Sequence, residues 1–341
     1  MNMIAAATRF AERAPIPDSL SLMGIDFLCA RTARKLRDER PDGEARFAAE
    51  MDRFSIALHA DAANEQHYEL PAEFFSLALG PRRKYSSCLY TGGVQTLAAA
   101  EVKALEETVA HADVHDGHRI LELGCGWGSL TLFMAERCPA SQITAVSNSH
   151  SQREYITAEA HRRGLANVRV ITADMNHFEA DGEYDRIVSV EMFEHMSNWR
   201  GLLTRVRQWI RPNGRLFLHV FSHRSQPYRF EVSDDSDWIA QYFFTGGIMP
   251  SHGLIRHFGD LFEVEQDWRW SGEHYRRTAM HWLENFDANA DRISRLMEET
   301  YGSDAAVWTR RWRLFFLATA GLFGHSGGEE WGVSHYRLKP A

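Results

Sequence analysis

The chain has 341 residues, 44% hydrophobic and 25% charged, a composition that fits one large globular domain or two modest ones and excludes disorder, collagen-like repeats and coiled-coil rods. Lys and Arg number 38 against 46 Asp and Glu, for a net charge of -8, so the electrostatic footprint of a nucleic-acid binder is missing and no nucleic-acid partner is expected. Cys29, Cys88, Cys125 and Cys138 form no CxxC pair; they are too sparse for a disulfide framework and suit a reducing compartment, so the expected location is cytoplasmic.

The amino terminus carries a short apolar stretch at 4–7 but neither a basic start nor a sustained apolar run, so no secretory signal is expected. Residues 30–40 then read as a basic amphipathic helix, broken by Pro41-Asp42-Gly43, with a second helix at 44–59. This helical preface is expected to form an amino-terminal cap over residues 1–112. From 119 the rhythm changes to short apolar runs alternating with amphipathic stretches, the pattern of a parallel sheet with crossover helices. Strands are expected at 119–123, 142–147, 168–173, 184–190 and 215–221, with helices at 129–137, 149–163 and 198–210, the last closed by Pro212-Asn213-Gly214. The core, 113–341, is thus a doubly wound α/β domain. Residues 224–258, rich in aromatics, Gly, Ser and Asp, read as an inserted lid. A strand at 262–268, a long helical stretch at 274–323 and a last strand at 331–338 complete the chain. The longest apolar run, 314–323, is about half of what a bilayer crossing needs and reads as a core helix, so no integral membrane segment is expected.

The first strand runs into Gly124-Cys125-Gly126-Trp127-Gly128-Ser129, a glycine turn opening onto a helix. Glycines there let the backbone turn sharply and come close to a ligand. A dinucleotide fingerprint needs its third glycine where Ser129 stands, and an acid about 20 residues on at the end of the second strand. That strand ends instead in Val146-Ser147-Asn148. The turn suits the amino-acid end of S-adenosylmethionine better than a pyrophosphate, and a P-loop is excluded because no GKS or GKT follows.

Four segments occur together in order: Tyr85-Ser86-Ser87-Cys88-Leu89-Tyr90, the glycine turn, Ser147-Asn148-Ser149-His150-Ser151-Gln152, and Glu191-Met192-Phe193-Glu194-His195-Met196. The set resembles the cyclopropane-fatty-acid-synthase superfamily of class I S-adenosylmethionine-dependent methyltransferases. His67-Tyr68-Glu69-Leu70-Pro71 with Phe74-Phe75 is similar to that family's opening segment, and Gly328-Glu329-Glu330-Trp331 with Ser334-His335 resembles its coclaurine N-methyltransferase branch. The resemblance implies a class I Rossmann-like doubly wound sheet and S-adenosylmethionine as cofactor. It places Tyr85 and Ser86 at the methionine end, Gly124, Cys125 and Gly126 as the floor, Ser147, Asn148 and Gln152 at the ribose, Asp174 and Met175 at the adenine, and Val190 near the methyl group.

Glu191, Glu194 and His195 follow the fourth strand, at the edge where open α/β sheets place their ligands. An amine attacks a methyl group only with its lone pair free, so N-methylation needs a base to take the ammonium proton and a carboxylate to hold the cation. His195 or Glu194 is expected to be the base and Glu191 the electrostatic anchor. The alternative implied by the resemblance is cyclopropanation or methylation of an unsaturated phospholipid acyl chain, with bicarbonate as base. Glu194, His219 and Tyr275 match that ion's ligands, whereas Ser87 replaces a Cys, and Glu191 would repel it. Amine methylation leads, with a small amine as partner. A lipid acceptor with peripheral membrane contact, and a non-catalytic S-adenosylmethionine binder, stand as alternatives.

Other features read more plainly. His111, His115 and His118 have helix-like spacing, but Asp116-Gly117 interrupts them and no further ligand completes a set, so no metal is expected. Arg82-Arg83-Lys84 reads as a solvated helix end. Trp238, Tyr242, Phe243, Phe244, Trp268, Trp270 and Trp282, with Phe323 and Trp331, are candidates to wall a flat or greasy acceptor.

Overall fold

The computed structural model describes residues 9–58, 70–232 and 237–341. Its centre is a sheet of seven strands. The first five run parallel: β1 (Arg119–Leu123), β2 (Gln142–Ser147), β3 (Val168–Thr172), β4 (Tyr184–Val190) and β5 (Ile210–His223). In the lid, β6 (Tyr228–Arg229) and β7 (Ile248–Met249) form a separate antiparallel pair. β8 (Phe262–Ser271) and β9 (Trp331–Pro340) return to the main sheet, whose order is β3-β2-β1-β4-β5-β9-β8, with β9 antiparallel to both neighbours. This is the doubly wound class I arrangement read from the sequence. The central strands are buried along most of their length because helices cover both faces of a parallel sheet.

The helices are, in chain order, α1 (Asp18–Arg37), α2 (Gly43–Glu50), α3 (Ala72–Ala78), α4 (Leu97–His111), α5 (Ser129–Arg137), α6 (His150–Arg162), α7 (Trp199–Trp209), α8 (Trp238–Tyr242), α9 (Gly272–Ala288), α10 (Ala290–Tyr301) and α11 (Ala305–Gly324). Several begin where a side chain caps an otherwise orphaned amide: Thr96 for α4, Ser149 for α6, Asn198 for α7 and Ser271 for α9. α9, α10 and α11 pack on one another and on α1 and α3. They close on an aromatic core in which Phe74 meets Trp312 at 4.8 Å between ring centres and Phe243 stacks on Phe315 at 4.3 Å. Arg313 ties the layers, pairing with both Asp18 and Asp287.

The structure departs from the sequence reading at several boundaries. α1 begins twelve residues before the expected position 30, because its first half packs on α11 through Leu22 and Ile25 rather than showing a clear apolar stripe of its own. α2 ends at Glu50 in a 3-10 turn at Met51–Arg53; residue 59, the expected helix end, lies outside the described residues, as do His67, Tyr68 and Glu69. The long stretch at 274–323 is three helices, interrupted at Asn289 and at Gly302, whose φ of 54° is open to glycine. β5 starts at Ile210, so Pro212-Asn213-Gly214 forms an irregular bulge within a strand instead of closing a helix. No helix of the described residues is long and apolar enough to cross a membrane.

Candidate functional site

The site is assembled at the carboxyl ends of β1, β2, β4 and β5, where the crossover connections leave the sheet. Gly124, Gly126 and Gly128 all take left-handed backbone angles, with φ of 78°, 50° and 77°. A Cβ at Gly124 would lie 2.6 Å from Met192 Cβ, whereas beside Gly126 nothing lies within 4 Å. The turn therefore presses on the acidic segment on one side and leaves its backbone open on the other. Beneath it Glu122 is buried, accepts from Thr131 Oγ1 at 2.6 Å, and is pushed up to about 8 by loss of water. Cys125 is buried, and burial drives its thiol well above the ordinary range, against a nucleophilic role.

At the end of β2, the Ser147 hydroxyl donates to Gln152 Oε1 at 2.6 Å and accepts from the Ser149 amide at 3.0 Å. Ser147 thus orients Gln152, whose buried Nε2 is left without a partner, as is the buried Ser129 Oγ at the start of α5. Unpaired buried donors are costly unless a ligand takes them up. These orphans and the open flank of Gly126 fit the ribose and amino-acid ends of S-adenosylmethionine. Asn148 is half-buried alongside. Asp174 accepts from the Asn176 amide at 2.8 Å, Asn176 in turn bracketing the backbone of Ala57, and Met175 is buried next to it. Val190 is the last residue of β4. The Tyr85 ring is held edge-on by Phe75 at 5.5 Å and faces Trp282 at 5.6 Å, while Ser86 is buried and accepts from Lys84 Nζ at 2.6 Å.

The acidic half is tighter. Glu191 has φ of 47°, a left-handed angle that costs an ordinary residue about 1–3 kcal/mol and is found where surroundings over-determine it. Its amide donates to the His219 carbonyl at 2.8 Å, and this turn aims the carboxylate back over β5. Three partners converge there: the Ser87 amide donates to Oε1 at 3.0 Å, the Tyr275 hydroxyl donates to Oε2 at 2.7 Å, and His219 Nε2 shares a hydrogen with Oε1 at 3.1 Å, the tautomer deciding which of them donates. Burial raises the Glu191 carboxyl, while the Lys84 cation and the Ser87 and Tyr275 donors pull it back. Glu194, fully buried, accepts from the Phe221 amide at 2.6 Å and its Oε2 has no partner. Burial, then the Glu191 charge, drives it well above the carboxylate range. Both carboxyls are thus pushed toward the neutral form, Glu194 the more strongly, so that ionisation of the pair favours Glu191. His195 stacks on Phe244, ring planes 7° apart at 5.2 Å.

A family model described as mycolic acid cyclopropane synthetase matches residues 58–327. The chain belongs to the mycolic acid cyclopropane synthetase family. Its class I methyltransferase fold and its methyltransferase class, both expected from the sequence, stand with that membership. Among relatives of this family, the (S)-coclaurine N-methyltransferase of Thalictrum flavum subsp. glaucum is 37% identical over 294 residues, 85% of this chain and 81% of the relative. The cyclopropane-fatty-acyl-phospholipid synthase of Escherichia coli (strain K12) is 28% identical over 271 residues, 79% of this chain and 66% of that one. A crystal structure of coclaurine N-methyltransferase bound to N-methylheliamine and SAH superposes with a TM-score of 0.92 at 35% identity, covering 99% of both chains.

Within this family site, His219 and Tyr275 hydrogen-bond Glu191, and Glu194 accepts from the backbone of β5. Several expectations need correcting. Lys84 is not solvated; it is buried, and its ammonium donates to Ser86 Oγ and the Ser87 carbonyl, both at 2.6 Å. A basic run gave no hint of this, because only packing of the 80–90 segment under α9 turns one of its three cations inward. Of the candidate aromatics, Trp238, Phe243 and Trp282 belong to the core, and Trp268 stacks on His111 across the sheet. Phe244 stacks on His195 and Phe323 on Tyr275, and two rings that sequence reasoning missed join them: Phe221 meets Phe244 at 5.6 Å and Phe323 at 6.1 Å, and Phe230 meets Phe244 at 5.3 Å. The period of two along β5, which sets His219 and Phe221 on one face, was the available signal.

Proposed function

We propose that the protein transfers the methyl group of S-adenosylmethionine to the nitrogen of a small aromatic or alkaloid-like amine. The observation that carries this is the Glu191 carboxylate, which engages the Ser87 amide, His219 and Tyr275, groups that the lipid-modifying branch would offer to bicarbonate. An anion fixed in the chain attracts an ammonium and competes with a free anion for the same groups. S-adenosylmethionine supplies an electrophilic methyl group when bound; Tyr85, Ser86, the 124–126 turn, Asn148, Gln152, Asp174, Met175 and Val190 hold it. Glu191 anchors the substrate ammonium. Burial disfavours the Glu194 anion, which favours Glu191 or His195 as the group that takes the proton. Phe221, Phe230, Phe244 and Phe323 offer rings to a flat cation. That the relatives are coclaurine N-methyltransferases supports the same substrate class.

The test is release of S-adenosylhomocysteine by purified protein with tetrahydroisoquinolines or with monounsaturated phospholipid vesicles. Turnover on the amine supports this reading. Turnover on vesicles alone assigns a lipid acceptor with peripheral membrane contact, and turnover on neither, with cofactor bound, assigns a non-catalytic binder.

A further inference from the structure

The register of the sheet places His219 of β5 opposite His335 of β9, and His335 opposite Trp268 of β8. α4 ends against this face at His111, whose ring lies flat on Trp268 with centres 3.7 Å apart. Three imidazoles are thereby strung in a row. His219 Nε2 meets Glu191 Oε1 at 3.1 Å, and its Nδ1 meets His335 Nε2 at 2.8 Å. His335 Nδ1 meets His111 Nδ1 at 2.8 Å, and His111 Nε2 lies 3.5 Å from Glu107 Oε1. Both nitrogens of His219 and His335 are hydrogen-bonded, and His111 turns its second nitrogen toward Glu107. His219 and His335 are wholly buried, whereas the Glu107 side chain is 35% exposed, at the rim of a surface cavity of about 340 Å³ that His111 also lines.

Proton bookkeeping makes this row more than packing. Its three hydrogen bonds need three hydrogens, which three neutral imidazoles bring, and His111 Nε2 stands within ion-pair reach of Glu107. With the tautomers turned toward Glu191, its carboxylate is held as an anion; with them turned toward Glu107, His219 Nε2 is open to a proton that arrives on Glu191. We propose, resting on the N-methylation reading, that His219, His335 and His111 are a proton relay that carries the substrate ammonium's proton from Glu191 to Glu107 at the surface. The ammonium N–H breaks and an O–H forms on Glu191, freeing the nitrogen lone pair. At each ring one N–H then forms as the other breaks, and the proton arrives as an O–H on Glu107, which loses it to water. No ring is charged before or after. With product gone and water in the site, passage of one proton inward, from Glu107 to Glu191 and on to that water, restores the tautomers. Burial, reinforced by the Lys84 charge, keeps His219 and His335 neutral, as such shuttling requires. The charged or titratable groups around the row are Lys84, Glu194 and Tyr275 at its inner end, and Lys103, Arg269, His274 and Arg337 at its outer end.

His111→Ala and His335→Gln test the relay, the glutamine keeping hydrogen bonds but lacking tautomers. With tetrahydroisoquinoline at pH 7, where the amine arrives protonated, kcat is expected to fall at least about 10-fold in each with KM unchanged. The deficit should shrink toward pH 10, where the amine arrives neutral. Added imidazole, entering the cavity vacated in His111→Ala, should restore that variant and leave His335→Gln unrescued. Equal losses at all pH values, or no response to imidazole, would overturn the relay. If the wild type methylates no amine, the functional reading fails and the relay is judged on ¹⁵N imidazole spectra: His219, His335 and His111 should change tautomer in one concerted step with pH, split in His335→Gln, and independent titration in the wild type would overturn it.

Discussion

Glu191 and Tyr275 stand 84 residues apart and are joined by a 2.7 Å hydrogen bond from the phenol to the carboxylate, which brings α9 to the turn after β4. Tyr275 also stacks on Phe323 at 4.3 Å, so the bond is anchored in the aromatic core. Tyr275→Phe keeps the ring and removes the donor. Since the phenol favours the Glu191 anion, its loss raises that carboxyl further. Activity needs the anion, so the acidic limb of the kcat/KM profile should move to higher pH, with a loss of about 10-fold at pH 7. An unmoved limb would separate Tyr275 from Glu191's charge.

The two acids should respond unequally. Glu194→Gln mimics the protonated state that burial favours and can keep the contact with the Phe221 amide, so turnover should fall by about 10-fold or less. Glu191→Gln removes the anion itself and should cost at least about 100-fold. Steady-state rates with one amine measure both; a larger loss at Glu194 would reverse the assignment.

Glu122 makes a prediction about stability. Its carboxyl is raised from 4.5 to about 8 in the folded protein, so between those values the unfolded chain ionises while the native one does not. Stability attributable to this group is therefore complete below pH 4.5 and lost as pH rises toward 8. Glu122→Gln removes the titration and should stabilise by on the order of 2 kcal/mol at pH 8.5, with little effect at pH 4. Denaturant melts at the two values decide it.

Gln152 and Ser147 should separate by rank in calorimetric titrations with S-adenosylhomocysteine. Gln152→Ala removes the unpartnered donor and should weaken binding about 10-fold, whereas Ser147→Ala, which only frees Gln152 to rotate, should cost about 3-fold. Equal, negligible effects would move the ribose elsewhere.

Much of the parallel sheet was legible because its strands are short apolar runs punctuated by Gly124, Gly164 and Gly182, all with positive φ. Glu191, Glu194 and His195 were legible as a group because strand order places the end of β4 at the ligand edge. What those residues touch was not. Only the pairing of β9 between β5 and β8 brings His335 to His219, across 116 positions, and only the fold of α9 over β4 brings Tyr275 to Glu191. Lys84 was misread for the same reason: solvation is a property of packing, and a run of three cations reads alike whether one is buried or not. Helix breaks at Asn289 and Gly302 were hidden because both lie in a continuous helical pattern.

The substitution Glu191→Gly, at a backbone angle that glycine adopts freely, bears most directly on the role of this carboxylate. S-adenosylhomocysteine release with tetrahydroisoquinoline should be independent of bicarbonate in the wild type, fall at least about 100-fold in the variant, and recover in part when formate or bicarbonate re-engages Ser87, His219 and Tyr275. A wild type that requires bicarbonate, or a variant that keeps its rate without any added anion, would contradict Glu191 as the in-chain anion of the site.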